Sequence, residues 1–461
     1  MPDAYAGGPI GTDPWDSRGD PRRSIHFPTM ASVESASTLQ RRGTSWTVLG
    51  LLSGMMFLQY AVWGVWLPFL ARYLTSSPQG GGLGFTDAQM GTILGLAASL
   101  GALTAPFIAG QVADRYLNAE RALGILLAVG GVLNILLAGA SEYRTFLLLA
   151  VAYSICYMPT LSLTNSLAFR NLSAPERQFP PVRLWGTLGW IAAQSLFPLL
   201  WLNSGSEAGD TRRIADALRL SGAISIGYAL YALVALPRTP PRSDPGHPLA
   251  FVAAFGLLRN RAFLVITLAA LPVAMIHQAY FMHVFNYLSG PAGFSMGRTG
   301  LVLSVGQWSE IFFLAILGLL IPRIGFKSIF ILGCAAYVGR FVVFGMVQER
   351  WAIVAAQALH GLCYGCLFAG AFILVAKLAP TEIEHSAQTV FGIIILGLGP
   401  ILAVFYNRFV AERYGLTGAT TTFADYGKFW LTQASVAAAA GIFLLIAFPR
   451  RVNFAAGEPG P

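Results

Sequence analysis

The residues best placed to do chemistry lie inside apolar runs. The stretch Phe-Pro-Pro-Val-Arg-Leu-Trp-Gly-Thr-Leu-Gly-Trp at 179–190 sets Arg183 in a segment that otherwise reads as membrane-spanning. A charge at that depth costs roughly 2.5–3.5 kcal/mol on insertion scales, so a partner, a watery cavity or a ligand must offset it. Thr187 and Trp190 follow at i+4 and i+7, which puts cation, hydroxyl and aromatic plane on one helix face suited to holding a polar solute. Pro180 and Pro181 suit the start of that helix. Farther on, Gln307 and Glu310 share a face at i, i+3, and Glu310 is the one carboxylate placed deep in an apolar run; Asp87, Asp114 and Glu349 fall near run ends. A carboxylate balanced between burial, which favours its neutral form, and a nearby guanidinium, which favours its charged form, is suited to carrying a proton.

Other polar and aromatic residues fall on stripes of their own. Gln278 and Phe281, at i, i+3, join an amide to a ring and can bond and stack a flat heterocycle. His360, Tyr364 and Phe368 recur at i, i+4, i+8, and Gln59, Trp63 and Trp66 line a face of the first apolar run. The histidines His277 and His283 read as packing residues sooner than as proton carriers, the stripe of His360, Tyr364 and Phe368 reads as packing by spacing alone, and Arg340 reads as structural. Cys363 and Cys366 form a C-x-x-C inside a helix and read as small packing residues, with no metal or cofactor expected. No H-E-x-x-H, P-loop, nucleophile–base pair or G-x-G-x-x-G in a strand–helix setting occurs, which argues against an enzyme.

The elements that must position these groups follow from composition. The chain has 461 residues, 55% hydrophobic and 11% charged, against about 25% charged in soluble domains. Apolar runs of about 20 residues predict an all-α integral membrane protein, not a β-barrel. Twelve spans are expected at 46–74, 88–112, 122–141, 145–169, 181–202, 217–237, 262–288, 298–321, 328–347, 351–377, 386–411 and 428–448. A polar, proline-rich loop at 238–261 divides them into six-helix sets at 45–237 and 262–448, with tails at 1–44 and 449–461. The first tail lacks an apolar core, so no cleavable leader is expected and the tail reads as disordered; Met30 offers a second possible start. Most of the 30 Lys and Arg fall on the side of the two termini, which predicts that both are cytoplasmic. The net charge of +9 sorts by loop and forms no basic stripe for nucleic acid.

Two sets of six spans about a central loop match the plan of the major facilitator superfamily, whose halves rock about a midplane site. Gly110-Gln-Val-Ala-Asp114-Arg115 resembles that superfamily's loop between spans 2 and 3, and implies a conformational-gating role for Gly110, Asp114 and Arg115. Pro322-Arg323-Ile-Gly325-Phe-Lys327 is a degenerate echo in the second half. More narrowly, Cys156–Asn165, Phe179–Gly189, Phe57–Trp66, Gln307-Trp-Ser-Glu310, Gly339-Arg340-Phe341 and Tyr364-Gly-Cys366 resemble the nucleoside–proton symporter family.

That resemblance implies proton-coupled nucleoside transport across the cytoplasmic (inner) membrane by alternating access, carried out by a monomer. It implies a substrate site of Arg183, Thr187, Trp190, Gln278, Phe281, Gln307, Glu310, Tyr364 and Phe368, with Glu310 and Arg183 coupling the proton. Ribose hydroxyls suit Arg and Thr, a base edge suits Gln and Glu, and the ring suits aromatics. Two positions depart from the family: Ala369 stands where relatives carry aspartate, and Phe281 where they carry asparagine. Each loss of a partner is worth about 1–3 kcal/mol to a substrate group left unpaired. These departures keep a sugar, a cell-wall fragment or a drug open as alternative solutes; a membrane sensor is the remaining alternative.

Overall fold

The helices are set by caps and breakers at the ends of apolar runs. The computed structural model describes residues 44–106, 108, 116–241, 256–380, 383–416, 421–450 and 452. Gly110, Asp114 and Arg115 lie outside the described residues, as do the tail at 1–43 and most of the central loop. The described helices are α1 Trp46–Gly64, α2 Leu67–Thr75, α3 Asp87–Thr92, α4 Ala98–Pro106, α5 Ala119–Leu137, α6 Tyr143–Asn171, α7 Pro175–Trp201 and α8 Glu207–Val234. They continue with α9 Arg261–Ser289, α10 Met296–Met346, α11 Arg350–Gln357, α12 Leu359–Leu362, α13 Gly370–Leu378, α14 Glu384–Gly392, α15 Gly399–Tyr414 and α16 Phe423–Ala447. Wider π-helical turns at Ile93–Ala97, Cys363–Ala369 and Ile393–Leu398 join α3 to α4, α12 to α13 and α14 to α15. No strand occurs among the described residues.

Side-chain caps start many of these helices. Ser45, Thr86, Glu142, Ser206, Asn260 and Thr422 each accept from backbone N–H groups of the first turn, and Thr86 with Gln89 and Thr422 with Asp425 close reciprocal boxes, filling donors that a helix start leaves unmade. Glu142 lies outside the membrane-spanning helices, and the N–H groups of Arg144 and Thr145 hold its carboxyl below the usual glutamate range.

Three boundaries differ from the sequence expectation. The first span is broken at Val65–Trp66, because Pro68 has no N–H to continue the ladder. The helix bearing Arg183 begins earlier, at Pro175, and Pro180 and Pro181 lie inside it. Pro175 takes the N-terminal role expected of the later pair. The helix expected from 217 starts at Glu207, capped by Ser206.

Ten helical stretches among the described residues are long and apolar enough to cross a membrane, the 51-residue α10 among them. Within α10 the backbone leaves helical geometry at Gly325, with φ of 74° and ψ of 160°, a left-handed value that glycine adopts without the Cβ clash other residues meet. α7, at 27 residues, carries Arg183, Thr187 and Gln194 and is less apolar.

Residues from Thr44 onward form one compact unit. α1 packs along α7, α5 along α6 and α8, α10 along α16 and the α12 turn, and α9 along α15 and α16. The set before the central loop meets the set after it mainly where α7 lies on α10, α3 on α15, α2 on α9 and α4 on the Ile393–Leu398 turn. A Cβ added at Gly300 of α10 would stand 2.0 Å from the Gln194 carbonyl oxygen, so only glycine lets α7 and α10 approach this closely, as small residues do in membrane helix pairs.

Hydrogen bonds between the sets run from Asn286 Nδ2 to Thr75 Oγ1 at 3.3 Å, Asn407 Nδ2 to the Asp87 carbonyl at 3.5 Å, Gln278 Nε2 to the Leu94 carbonyl at 3.2 Å, and Gln194 Nε2 to Gln307 Oε1 at 2.7 Å. All four lie between the middle of the helices and the end carrying loops 76–86 and 290–295. Phe69 meets Phe285 there edge to face at 5.1 Å. Beside them Arg72, buried at the end of α2, pairs with Glu207 at the start of α8.

Candidate functional site

Arg183 projects from α7 toward α1. Its Nη2 donates to the Tyr60 hydroxyl at 2.7 Å, and the guanidinium carbon stands 4.2 Å from the centre of the same ring. A cation held by a hydroxyl and a π face is partly compensated without a carboxylate. Thr187, one turn on, is half-buried and makes no hydrogen bond among the described residues, so its hydroxyl is open to a ligand. Trp190 sets its ring edge-on to Trp63 at 5.6 Å and donates its indole N–H to Gln194 Oε1 at 3.0 Å.

α10 supplies Gln307 and Glu310. The intervening and following residues Trp308 and Phe312 are exposed on the opposite face, as expected of a helix with one polar stripe and a lipid-facing remainder. Arg183, Tyr60, Glu310 and Tyr364 lie within electrostatic range of one another, but no ion pair joins Arg183 to Glu310 among the described residues. The two side chains thus stand within electrostatic reach of each other without an ion pair between them.

Glu310 instead has His360 at its back, with Nε2 3.8 Å from Oε2 and the Glu310 side chain 19% exposed. His360 Nδ1 contacts Arg340 Nη1 at 2.9 Å. Arginine only donates, so Nδ1 must accept and the imidazole proton sits on Nε2, toward Glu310. Arg340 is 0% exposed. Its other contacts are Gln357 Oε1 at 2.6 Å and the Tyr280 ring at 3.9 Å. The sequence placed Arg340 in scaffold and His360 in packing. The structure links both to the buried acid.

Three of the four aromatic candidates gather around His277, whose ring lies 5.1 Å from Phe281, 6.3 Å from Tyr364, 5.3 Å from Phe368 and, stacked, 5.6 Å from His360. Tyr364 and Phe368 sit on the π-helical stretch Cys363–Ala369, a feature frequent at functional sites. Gln278 turns the other way, donating to the Leu94 carbonyl on the wide turn Ile93–Ala97. It is the only one of the nine candidate residues to line a largely apolar cavity of about 570 Å³, open mouth included, between α1, α2, α6 and the α3–α4 turn. Ser154 Oγ on that wall is buried without a hydrogen-bond partner among the described residues.

A family model described as nucleoside H+ symporter matches residues 48–453. The chain belongs to that family. It is 29% identical over 415 residues to the putative nucleoside transporter YegT of Escherichia coli, covering 87% of this chain and 94% of the relative. Identity to the nucleoside permease NupG of Escherichia coli is 27% over 404 residues, or 82% of this chain and 91% of the permease. A crystal structure of nucleoside transporter NupG superposes with a TM-score of 0.74 at 23% identity, covering 88% of this chain and 100% of that one. That likeness shows a shared fold of the major facilitator type.

For this symporter family member, the sequence pointed to Arg183 and Glu310 and missed two neutral residues, Tyr60 that holds Arg183 and Gln194 that joins Trp190 to Gln307. Tyr60 follows Gln59 in the first-span motif, and only its pairing with Arg183 distinguishes it from packing. Gln194 lies four residues beyond Trp190 on the same face, a spacing that could have drawn attention to it.

Proposed function

We propose that the protein moves nucleosides together with protons by alternating access, working as a transporter and not as an enzyme. Two sets of six spans, 45–237 and 262–448, rock about a site shared by α1, α7, α9, α10 and the Cys363–Ala369 turn. The reading of twelve spans is supported by the ten apolar stretches, the Gly325 break that divides α10, and the length of α7. The distribution of Lys and Arg supports placement in the inner membrane with both termini cytoplasmic. Gly110, Asp114 and Arg115 form the gating loop, and the unit is a monomer.

What supports this reading is that Arg183 and Glu310, from different halves, stand within electrostatic reach with no ion pair joining them among the described residues. Arg183 and Thr187 hold ribose hydroxyls, Gln307 reads the base edge, joined by Gln278 once it leaves the Leu94 carbonyl, and Trp190, Phe281, Tyr364 and Phe368 pack its ring. Glu310 takes the proton, and Arg183 sets how readily it does so, since a neighbouring cation favours the carboxylate.

The test is uptake of uridine and adenosine into proteoliposomes under an imposed pH gradient. The gradient is expected to drive accumulation, and Glu310→Gln to abolish that drive while retaining substrate binding. Uptake indifferent to the gradient, or full coupling in Glu310→Gln, would reject the mechanism.

A further inference from the structure

We propose that Gln194 is a positioning residue that fixes which end of the Gln307 amide faces the substrate. The inference deepens the nucleoside reading and rests on it. It follows from donors and acceptors that leave no choice of direction. The Trp190 indole nitrogen can only donate, so the group 3.0 Å from it must be the Gln194 oxygen. Gln194 then turns its Nε2 to Gln307, 2.7 Å away, and the group receiving it must be Oε1. What remains of the Gln307 amide is its NH2 end, which makes no hydrogen bond among the described residues.

The relay is held in place on every side. Gln194 is 2% exposed and Gln307 9%, so water cannot readily replace either bond. The Trp190 ring is braced edge-on by Trp63, and Gly300 allows the two backbones to approach closely enough for the amides to meet. An indole on α7 thereby dictates the polarity of a binding residue on α10. The site offers donors from Gln307, and the matching substrate edge bears an acceptor, such as an oxo group.

The experiment uses the full-length protein in proteoliposomes and two ligand pairs, uridine with cytidine and inosine with adenosine, in which an oxo group replaces an amino group. The wild type is expected to favour the oxo members. Gln194→Glu places a carboxylate that accepts from Trp190 Nε1 and from Gln307 Nε2, turning the Gln307 oxygen toward the substrate. The oxo-to-amino ratio then falls about tenfold, the effect of one mismatched buried hydrogen-bonding group. Gln194→Met removes the polarity and is expected to bring the ratio near unity. Unchanged ratios in both transporting variants overturn the proposal.

A substrate-free measurement separates this proposal from the nucleoside reading. Thermal unfolding of Trp190→Phe, Gln307→Leu and the double variant forms a cycle between side chains that communicate through Gln194. The two changes are expected to be non-additive, and to become additive in a Gln194→Met background. Additivity in the native background overturns the relay. Non-additivity with no uptake of any of the four nucleosides leaves the relay standing and rejects the nucleoside reading.

Discussion

Arg340 is fully buried, and no carboxylate touches it among the described residues. Its charge is met by Gln357, His360 and the Tyr280 ring, which explains why an isolated arginine in an apolar run survives. Removing one acceptor leaves the rest of a buried cation exposed to that loss, at about 1–3 kcal/mol. His360→Leu is therefore expected to lower the melting temperature clearly, while His360→Gln, which can still accept, recovers most of it. Because His360 presents its Nε2 proton toward Glu310, His360→Leu is also expected to shift the pH midpoint of transport, a change that packing alone would not produce. On the other side of the site, Tyr60→Phe keeps the ring under Arg183 and removes only the hydroxyl. The expected loss is about 1 kcal/mol, or roughly fivefold in apparent affinity, read by uptake kinetics. Arg183 and Glu310 were legible because a charge in an apolar run contradicts its surroundings. Tyr60, Gln194 and the partnership of His360 were not, because neutral polar residues at helical spacing look the same whether they pack or bind.

Helices obey the same logic at longer range. The apolar runs located most of the spans, since a hydrocarbon layer demands that length and nothing local competes with it. Their ends were less legible. A proline marks a boundary without saying on which side, so Pro180 and Pro181 drew the start of α7 away from Pro175, and Pro68 broke a span that hydropathy alone keeps whole. The wide turns at Ile93–Ala97, Cys363–Ala369 and Ile393–Leu398 left no trace in a pattern read at 3.6 residues per turn. Two glycines test the element scale. Gly300→Ala is expected to push α7 off α10, destabilising the protein by about 1–3 kcal/mol as overpacking does, with a loss of transport beyond the loss of stability because Gln194 and Gln307 part. Gly325→Ala meets open space but a left-handed backbone. It is expected to cost about 1 kcal/mol in thermal unfolding and to leave substrate affinity unchanged.

Across the whole molecule, four described hydrogen bonds between the two sets of helices lie in the half of their depth that bears loops 76–86 and 290–295. Thr75 with Asn286, Asp87 with Asn407 and Phe69 with Phe285 fasten the end that bears loops 76–86 and 290–295. A transporter that alternates must release these contacts once per cycle. Thr75→Cys with Asn286→Cys is therefore expected to form a disulfide under mild oxidation, to stop uptake, and to recover it with a reductant. Continued flux through the oxidised, cross-linked protein would show that this end does not open. The wide turns at Ile93–Ala97 and Ile393–Leu398 pack across the seam, and each holds one surplus residue within its coil. Winding such a coil back to ordinary pitch swivels everything beyond it by about 100°. A rod built this way can trade one row of side chains for the next while its axis stays put, like a camshaft turning in fixed bearings.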